Sequence, residues 1–365
     1  MPKSAEMLQG QTIKGQHTDE DWDVIERMEA KPEHTPGFFS VGYKVRNSSG
    51  DIAFAKASDV TAFLGSDRDP LVALTRMANA HMFERQILEV CHGNAMDRII
   101  TAIDYGSVDV INAGVRDIVF FLIFELADGD IRRHVISNEK FDFLFCVTIL
   151  HNIFIATQQL HRAKVAHNDL KPANTLVIDR ELQKVGDLGR ATSDAHPAPH
   201  DAYPCAGDPQ YAPPEQIYPD GDALPGFTRA EKRRVGDLYN LGSIIHFMLG
   251  ARMVTPEVIR LMRPETRPRN MSGGSADSYA AALPYWRDAF DQLLDGIEGR
   301  GLAKFGPGVG REVSKLKGMI RQLCEPDANL RGHPLNRTGK QDKLGLDRYI
   351  SELDALKKSL VIKSA

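Results

Sequence analysis

The chain of 365 residues has few cysteines, and no two of them are close together in the sequence. None forms a C-x-x-C pair, which argues against a zinc site and against a disulfide framework. The four residues are Cys91, Cys146, Cys205 and Cys324. Such sparse cysteine is typical of a reducing compartment, and we expect a cytoplasmic protein.

Long apolar runs are also missing. The stretch 118–127 is too short to span a bilayer, and the stretch 141–155 carries Asp142, His151 and Asn152. The first 21 residues lack the apolar segment of a secretory signal, so residues 1–21 are expected to form a flexible polar arm. Neither apolar stretch indicates a membrane helix.

The chain has no excess charge of one sign, because 45 basic and 49 acidic residues leave a net charge of -4. No global field therefore favours nucleic acid or an anionic membrane as a partner. The hydrophobic content of 42% is sufficient for a sizeable core, and the length predicts two lobes or two domains.

Apolar patterning divides the chain into two parts. Residues 22–127 contain strand-like segments such as "DIAFAKA" and "DIVFFLIFEL" around one helical segment, whereas residues 128–334 are dominated by helical periodicity. Residues 335–365 predict a C-terminal helix with an apolar stripe, which favours packing on the second part over the alternative of a dimerisation helix. The fold class predicted is α+β, with a hinge near residues 127–130.

A polar stretch, "HNDLKPAN" at residues 167–174, lies between two apolar runs. A simple polar turn is one interpretation. The order H-x-D-L-K-P-x-N, however, resembles the catalytic loop of protein kinases. Three further features follow in the order found in that family: "DLG" from Asp187, "GDPQYAPPE" ending at Glu215, and Asp237 with Arg331 downstream.

Residues from about 22 to about 334 therefore resemble the protein-kinase superfamily, and the D-L-K-P-x-N loop resembles its Ser/Thr class. The resemblance implies a two-lobed fold with a small N-lobe sheet and a mostly helical C-lobe. It implies that Asp169 orients the substrate hydroxyl, that Lys171 stabilises the transferring phosphoryl group, and that Asn174 and Asp187 bind Mg²⁺.

The same resemblance implies a nucleotide site in which Lys56 binds the ATP phosphates. Glu84 would pair with Lys56, with Glu89 as a competitor on the same helix. The remaining residues expected at the nucleotide are Phe38, Val41, Glu125, Leu126, Ala127 and Asp130.

Several positions depart from the family pattern. The glycine-rich loop falls on "HTPGFFSV", where only Phe38 and Val41 agree, and Phe54 stands where a small residue usually covers the adenine. Asn168 replaces the arginine that grips a phosphate, so regulation at Thr192 or Ser193 is not expected. Asp208 replaces a threonine, and "RPETRPRNMSGGSADSY" predicts a solvated loop or a partner-binding insertion.

These patterns support three functional hypotheses. The first is a serine/threonine protein kinase that uses ATP and Mg²⁺ on a protein substrate, with a regulatory partner at the C-lobe insertion or the terminal helix. The second is a pseudokinase that binds a partner, which the altered glycine loop favours. The third is a kinase-fold transferase acting on a small molecule or moving a different part of the nucleotide.

Overall fold

The computed structural model describes residues 3–28, 40–58, 69–137, 141–221, 227–269, 273–338 and 342–364. The chain forms two compact units, Met1–Asp128 and Gly129–Ala365. This division falls one residue after the predicted boundary between residues 127 and 128.

The first unit is built on a six-stranded antiparallel sheet with the strand order β1-β2-β3-β4-β6-β5. One long helix, α1, accompanies the sheet. The bounds are β1 Thr12–Lys14, β2 Asp21–Met28, β3 Ser40–Asn47, β4 Ile52–Ser58, α1 Pro70–Gly93, β5 Ala102–Asn112 and β6 Val115–Glu125.

One face of this sheet carries the core of the unit. Strand β4 alternates, so that Ala53, Ala55 and Ala57 are buried in a cluster of apolar side chains. The larger members of the cluster come from the neighbouring strands, namely Trp22, Tyr43, Val45, Val119, Phe121 and Ile123. Period-two alternation therefore gives β4 one core face and one face on which Phe54 and Lys56 lie.

The expected polar arm at residues 1–21 does not behave as a free arm over its described part, residues 3–21. A short 3-10 helix at Ser4–Glu6 and strand β1 place Leu8 and Ile13 in the core cluster. The Tyr43 hydroxyl donates a hydrogen bond to the Ala5 carbonyl over 2.6 Å. The sparse apolar residues of this segment are sufficient because each one in the cluster is almost wholly buried.

The second unit is mostly helical, with short strands near its polar loops. Its helices are α2 Ile131–Ser137, α3 Phe143–Arg162, α4 Arg229–Gly250, α5 Val254–Leu261, α6 Tyr279–Asp295, α7 Ile297–Phe305, α8 Gly310–Leu323, α9 Pro334–Arg337 and α10 Asp347–Ser364. Its strands are β7 Gly129–Asp130, β8 Val165–Ala166, β9 Thr175–Val177, β10 Gln183–Val185 and β11 Thr192–Ser193. They form the sheets β10-β9-β7 and β11-β8.

Helix α3 is the central helix of this unit. Its N-terminus is capped by Asp142, whose carboxylate accepts a hydrogen bond from the Phe145 amide over 2.7 Å. By length and composition α3 could cross a membrane, but 72% of its most apolar window is buried inside the protein. Such burial is that of a core helix in a folded domain.

The C-terminal helix α10 packs against α3, with the rings of Tyr349 and Phe154 5.9 Å apart. Leu353 and Leu356 are buried beside them. The prediction that the apolar stripe packs on the second part of the chain is confirmed. The alternative of a dimerisation helix would require those same leucines to be exposed.

The expected solvated insertion between Arg263 and Tyr279 is partly tied down. A 3-10 turn occupies Pro264–Thr266. The Arg269 amide donates to the Ala276 carbonyl over 3.1 Å, and the Ala276 amide donates to the Arg267 carbonyl over 2.9 Å. These backbone bonds close the insertion on itself, while residues 270–272 lie outside the described part of the chain.

Candidate active site

An ion pair joins β4 to α1 in the first unit. The Lys56 ammonium lies 2.9 and 3.1 Å from the two Glu84 carboxylate oxygens. Helix α1 begins with Pro70 after a cap in which Asp69 accepts a hydrogen bond from the Leu71 amide. The structure places Glu84 beside Lys56, whereas Glu89 pairs with Arg85.

The register of β3 against β4 corrects the expectation for Val41. Gly42 lies opposite Lys56, and Val41 lies opposite Ala57. Because successive side chains point to opposite faces, Val41 packs on the core cluster and not on the face of Lys56. The expectation that Val41 contacts the nucleotide beside Lys56 is therefore wrong in this register. Phe38 lies outside the described residues.

Phe54 shares the face of Lys56 and covers the small residue next to it. A Cβ added to Gly42 would lie 2.7 Å from the Phe54 ring, so the ring fills the space that a side chain at Gly42 would need. An aromatic ring thus occupies the position where the resemblance implies a small residue.

The residues expected at the hinge have defined local contacts. Glu125 ends β6, and its carboxylate accepts a hydrogen bond from the Thr101 amide over 2.6 Å. Leu126 and Ala127 are half-buried after it. In the second unit, Asp130 forms an ion pair with Arg132 at 2.8 Å. Contact of these residues with a nucleotide stays a prediction.

One buried carboxylate holds the backbone of the catalytic-type loop in the second unit by hydrogen bonds. Asp237 on α4 is fully buried and accepts hydrogen bonds from the backbone amides of His167 and Asn168, each over 2.8 Å. It also contacts the His161 ring at 2.9 Å. These bonds hold Asn168 at φ 65°, a left-handed conformation that a non-glycine residue adopts only when its surroundings impose it.

His167 fixes the backbone on both sides of the loop. Its Nδ1 accepts a hydrogen bond from the Asp169 amide over 3.2 Å, and its Nε2 lies 3.0 Å from the Gly186 carbonyl. A carbonyl can only accept, so the ring carries its proton on Nε2 and donates it there. His167 therefore links the loop residue Asp169 to the turn that precedes Asp187.

Three of the site residues predicted from sequence meet at one point. The Asp169 carboxylate lies 2.9 Å from the Lys171 ammonium and accepts a hydrogen bond from the Asn174 side-chain amide over 3.1 Å. The same Asn174 amide donates to the Asp169 carbonyl over 2.9 Å. Because both donated bonds go to Asp169, the Asn174 side-chain oxygen is the atom suited to a cation.

Asp187 is connected to this cluster through the backbone. The Gly186 amide donates to the Asn174 carbonyl over 2.9 Å, and Asp187 follows at φ 59° with its side chain exposed. An amide oxygen and a carboxylate are hard oxygen ligands that suit Mg²⁺, which commonly takes its other ligands from phosphate and water. Within the described residues no group of three or more His, Cys, Asp or Glu side chains could hold a metal alone.

Asp208 adds a second carboxylate next to Lys171. Its backbone amide donates to the Asp169 carboxylate over 3.0 Å, and its Oδ2 lies 3.9 Å from the Lys171 ammonium. The approach depends on Gly207, where an added Cβ would lie 2.3 Å from the Asn168 carbonyl oxygen. Burial, followed by the Asp208 charge, raises the pKa of nearby Tyr211 to about 12, so this phenol stays protonated at neutral pH.

The segment after Asp187 is paired at the two hydroxyl residues where regulation by a phosphate group is not expected. Thr192 and Ser193 form β11, and Thr192 lies opposite Ala166 in β8. The Asn168 side-chain amide donates to the Thr192 hydroxyl and to the Arg190 carbonyl, each over 2.8 Å. Asn168 thus contacts the segment directly.

The end of the same segment is held by a buried ion pair. Two nitrogens of Arg331 lie 2.5 and 2.9 Å from the two Glu215 carboxylate oxygens. The guanidinium also donates to the Val235 carbonyl over 3.2 Å and lies over the Tyr239 ring. This pairing is the one that the sequence predicted.

Sequence reasoning missed three residues that shape the site. His161 reaches Asp237 from α3, Gly207 permits the close approach to the loop, and Arg233 donates to the Pro204 carbonyl over 2.7 Å. A glycine directly before Asp208 was a visible signal. Nothing in the local sequence marks His161 or Arg233, because their partners are distant along the chain.

Comparison with known proteins assigns the family. A family model described as protein kinase domain matches residues 58–332, which is more than half of the chain. The match begins after Lys56, so the role of that residue rests on its ion pair with Glu84.

Among curated proteins, a probable serine/threonine-protein kinase of Clostridium perfringens is 25% identical over 174 residues, which is 45% of this chain and 24% of that protein. Serine/threonine-protein kinase DCLK1 of Rattus norvegicus is 32% identical over 109 residues, or 28% of this chain and 24% of that protein. Mitogen-activated protein kinase 5 of Arabidopsis thaliana is 34% identical over 76 residues, 20% of each chain. The chain spans a quarter or less of the length of these three relatives. With the loop geometry and the family match together, this chain belongs to the protein kinase domain family.

Proposed function

We propose that the protein is a serine/threonine protein kinase that transfers the γ-phosphoryl group of ATP to a Ser or Thr hydroxyl of a protein. The observation that carries the proposal is the contact cluster of Asp169, Lys171 and Asn174, with Asp187 attached through the Gly186 amide. The relatives named as serine/threonine-protein kinases support the class of acceptor.

The proposed transfer uses these groups in distinct roles. Asp169 accepts a hydrogen bond from the acceptor hydroxyl, whose oxygen attacks the γ-phosphorus while the bond from that phosphorus to the ADP oxygen breaks. The hydroxyl proton passes to the Asp169 carboxylate, and ADP leaves with the bonding electron pair. Lys171 offsets the negative charge on the transferring phosphoryl oxygens, and Lys56 binds the phosphates that stay with ADP.

Asn174 and Asp187 would hold Mg²⁺, which when bound neutralises charge on the nucleotide phosphates. Their oxygens belong to a short loop and a turn joined by the bond between Gly186 and Asn174. This hydrogen bond restricts the relative movement of the two backbone segments that carry the proposed ligands.

The test is transfer of label from γ-labelled ATP, with Mg²⁺, to a mixed protein substrate, followed by identification of the labelled amino acid. We expect labelled phosphoserine or phosphothreonine, and a loss of about 10³-fold or more in Asp169→Asn. Asp179→Asn in the β9–β10 turn serves as a matched control. Transfer by wild type and Asp169→Asn at equal rates would refute the proposal.

Phe54 favours a second candidate, a partner-binding module that does not bind a nucleotide. Its ring lies on the face of Lys56, where it narrows the space beside Gly42. Titration of ATP with Mg²⁺ into wild type and Phe54→Ala separates the two functions. Binding only after the ring is removed would support the module, whereas binding by wild type supports the kinase.

A further inference from the structure

The activation segment between Asp187 and Glu215 is fastened at both ends. At its start, Asn168 holds Arg190 and Thr192, and the His200 ring donates to the Ala191 carbonyl over 2.8 Å. Near its end, the Asp208 amide donates to the Asp169 carboxylate, and the Glu215 carboxylate pairs with Arg331. The stretch of chain between His200 and Asp208 runs between these two anchors.

Arg233 supplies an anchor in the middle of that stretch. Its guanidinium donates to the Pro204 carbonyl over 2.7 Å and to the Tyr203 carbonyl, and the residue is only 7% exposed. Arg233 lies in the first turns of α4, which starts with a capping box in which Thr228 and Glu231 bond each other's backbone amides. A rigid helix end therefore presents the charged side chain to the segment.

The geometry suits a guanidinium better than any other side chain. Two successive carbonyls need two donors at a fixed spacing, and the planar fork of arginine provides them at a small entropic cost per bond. A hydrogen bond from a charged donor is about twice as strong as one between neutral groups. Local turns add order here, since the Tyr203 amide donates to the His200 carbonyl and the Asp201 amide to the Ala198 carbonyl, each over 3.0 Å.

We propose that Arg233 is a positioning residue that braces the middle of the activation segment through the Tyr203 and Pro204 carbonyls, so that the segment keeps its order without a phosphate group. The expected effect on substrate binding rests on the proposed function. The ordered segment leads to Asp208, whose backbone amide donates to the carboxylate of Asp169, the residue proposed to orient the acceptor hydroxyl. Asn168 acts in the same direction as Arg233. Its neutral side-chain amide contacts the Arg190 carbonyl and the Thr192 hydroxyl, at a position where an arginine would attract a phosphate group.

The experiment measures hydrogen exchange of peptides covering residues 198–206 in the full chain after phosphatase treatment. In Arg233→Met we expect the protected amides of this stretch to exchange at least tenfold faster, with peptides of α3 unchanged. Arg233→Lys keeps the charge but loses the fork, so an intermediate change of at least threefold is expected. Arg229→Met is the matched control, because the Arg229 side chain is 55% exposed and lies 3.6 Å from the Asp201 carboxylate of the same segment.

A kinetic readout distinguishes positioning from general stability. We expect Arg233→Met to raise the KM for the protein substrate about tenfold, with the KM for ATP within twofold of wild type and Arg229→Met unchanged. If Arg233→Met does not fold, Arg233→Lys decides the matter by the same measurements.

Two results would overturn the inference: exchange within twofold of wild type in a folded Arg233→Met or Arg233→Lys protein, or loss of protection in wild type on phosphatase treatment. Exchange is measured without substrate. A wild-type protein that transfers no label would therefore refute the proposed function without testing the role of Arg233. The exchange of residues 198–206 would still decide that role.

Discussion

The two units each contain an ion pair that the family resemblance predicted, and the two pairs differ in burial. Lys56 and Glu84 in the first unit have side chains 22% and 10% exposed, whereas Arg331 and Glu215 in the second have side chains 0% and 5% exposed. A buried charge that loses its partner is costly, while a partly hydrated one is partly compensated by water. The first pair is therefore suited to a functional role and the second to a structural one.

The surroundings of the pairs sharpen this difference. Arg331 has additional acceptors in the Val235 and Glu325 carbonyls and lies over the Tyr239 ring. Burial lowers and the Glu215 carboxylate raises the pKa of the Arg331 guanidinium, and the net shift is upward, so the pair stays charged. Contacts of this number hold the end of the segment in one place.

The largest effect is expected at the proposed metal ligand of the second unit. Asp187→Ala should reduce phosphoryl transfer by about 10³-fold or more, because it removes an oxygen ligand of Mg²⁺. Asp187 is exposed, so the melting temperature should change little. Initial rates with labelled ATP measure the first quantity, and Asp194→Ala, another exposed carboxylate of the same segment, is the control. Full activity in Asp187→Ala would place the metal elsewhere.

The buried pair should give the largest loss of stability. Arg331→Met leaves Glu215 buried without its partner and should lower the free energy of unfolding by about 3–5 kcal/mol. Arg321→Met breaks an exposed pair with Asp291 in the same unit and should cost less than about 1 kcal/mol. Equal losses in the two variants would remove the distinction drawn here.

The chain offers a direct way to measure these losses, because it has two tryptophans, one in each unit. A Trp22→Phe background leaves Trp286 as the fluorescent reporter of the second unit, where it packs 6.2 Å from the Tyr218 ring. A Trp286→Phe background reports the first unit through Trp22. Urea unfolding in each background assigns a loss of stability to one unit.

The partly exposed pair should show the opposite balance between activity and stability. Glu84→Gln should lower kcat/KM about 100-fold, because Lys56 loses the carboxylate that positions it. The free energy of unfolding reported by Trp22 should fall by about 1–2 kcal/mol, less than in Arg331→Met, because the Lys56 ammonium that loses its partner is 22% exposed. Glu89→Gln on the same helix is the matched control, since its pair with Arg85 is exposed. A stability loss as large as that of Arg331→Met would contradict the comparison.

A buried histidine of the second unit predicts how stability depends on pH. Burial lowers the pKa of His246 from 6.5 to about 4, and its Nδ1 donates to the Arg252 carbonyl. Between pH 6.5 and pH 4 the unfolded chain therefore binds a proton at His246 more readily than the folded chain does. The free energy of unfolding is highest above pH 6.5 and decreases as the pH falls towards 4. At pH 5 the loss relative to pH 7.5 should be about 2 kcal/mol.

His246→Asn retains a donor for Arg252 and removes the titration. Its unfolding free energy, reported by Trp286, should depend less on pH than that of wild type by about 2 kcal/mol over the same interval. Parallel pH profiles in the two proteins would assign the acid sensitivity to other groups.

The smallest effect is expected at the start of the activation segment. After phosphatase treatment, Thr192→Ala, Ser193→Ala and the double variant should have activities within about twofold of wild type, because Asn168 holds the segment without a phosphate. Thr192→Ala should cost roughly 1 kcal/mol of stability through the lost hydrogen bond. A folded but silent double variant would show that the hydroxyls or their phosphates are needed.

The sequence predicted which polar residues of the loop lie together, because these residues are close along the chain. Asp169, Lys171 and Asn174 are within six positions of one another, so a short tight loop brings them together once its backbone is held. The segment from residue 1 to 21 was predicted less well. Its few apolar residues give no recognisable period, yet three of them complete the core on one face of the sheet.

Strand register was also beyond the reach of sequence. Counting residues back from Lys56 placed Val41 at the nucleotide. In the structure Gly42, one residue later, lies opposite Lys56, so the Val41 side chain lies on the other face of the sheet. The turn between β3 and β4 sets that pairing, and a spacing rule taken from the family cannot resolve a single residue.

By itself, then, the sequence determined the family, the two-part organisation and the order of the proposed site residues, since each depends on residue type and on spacing along the chain. Only the tertiary structure decided the face on which Val41 lies, the burial of Thr192 and the grip of Arg233 on Tyr203 and Pro204. Those outcomes depend on pairings between segments distant in sequence, and the free energy of such contacts comes from burial and hydrogen-bond geometry that exist only after the chain has folded.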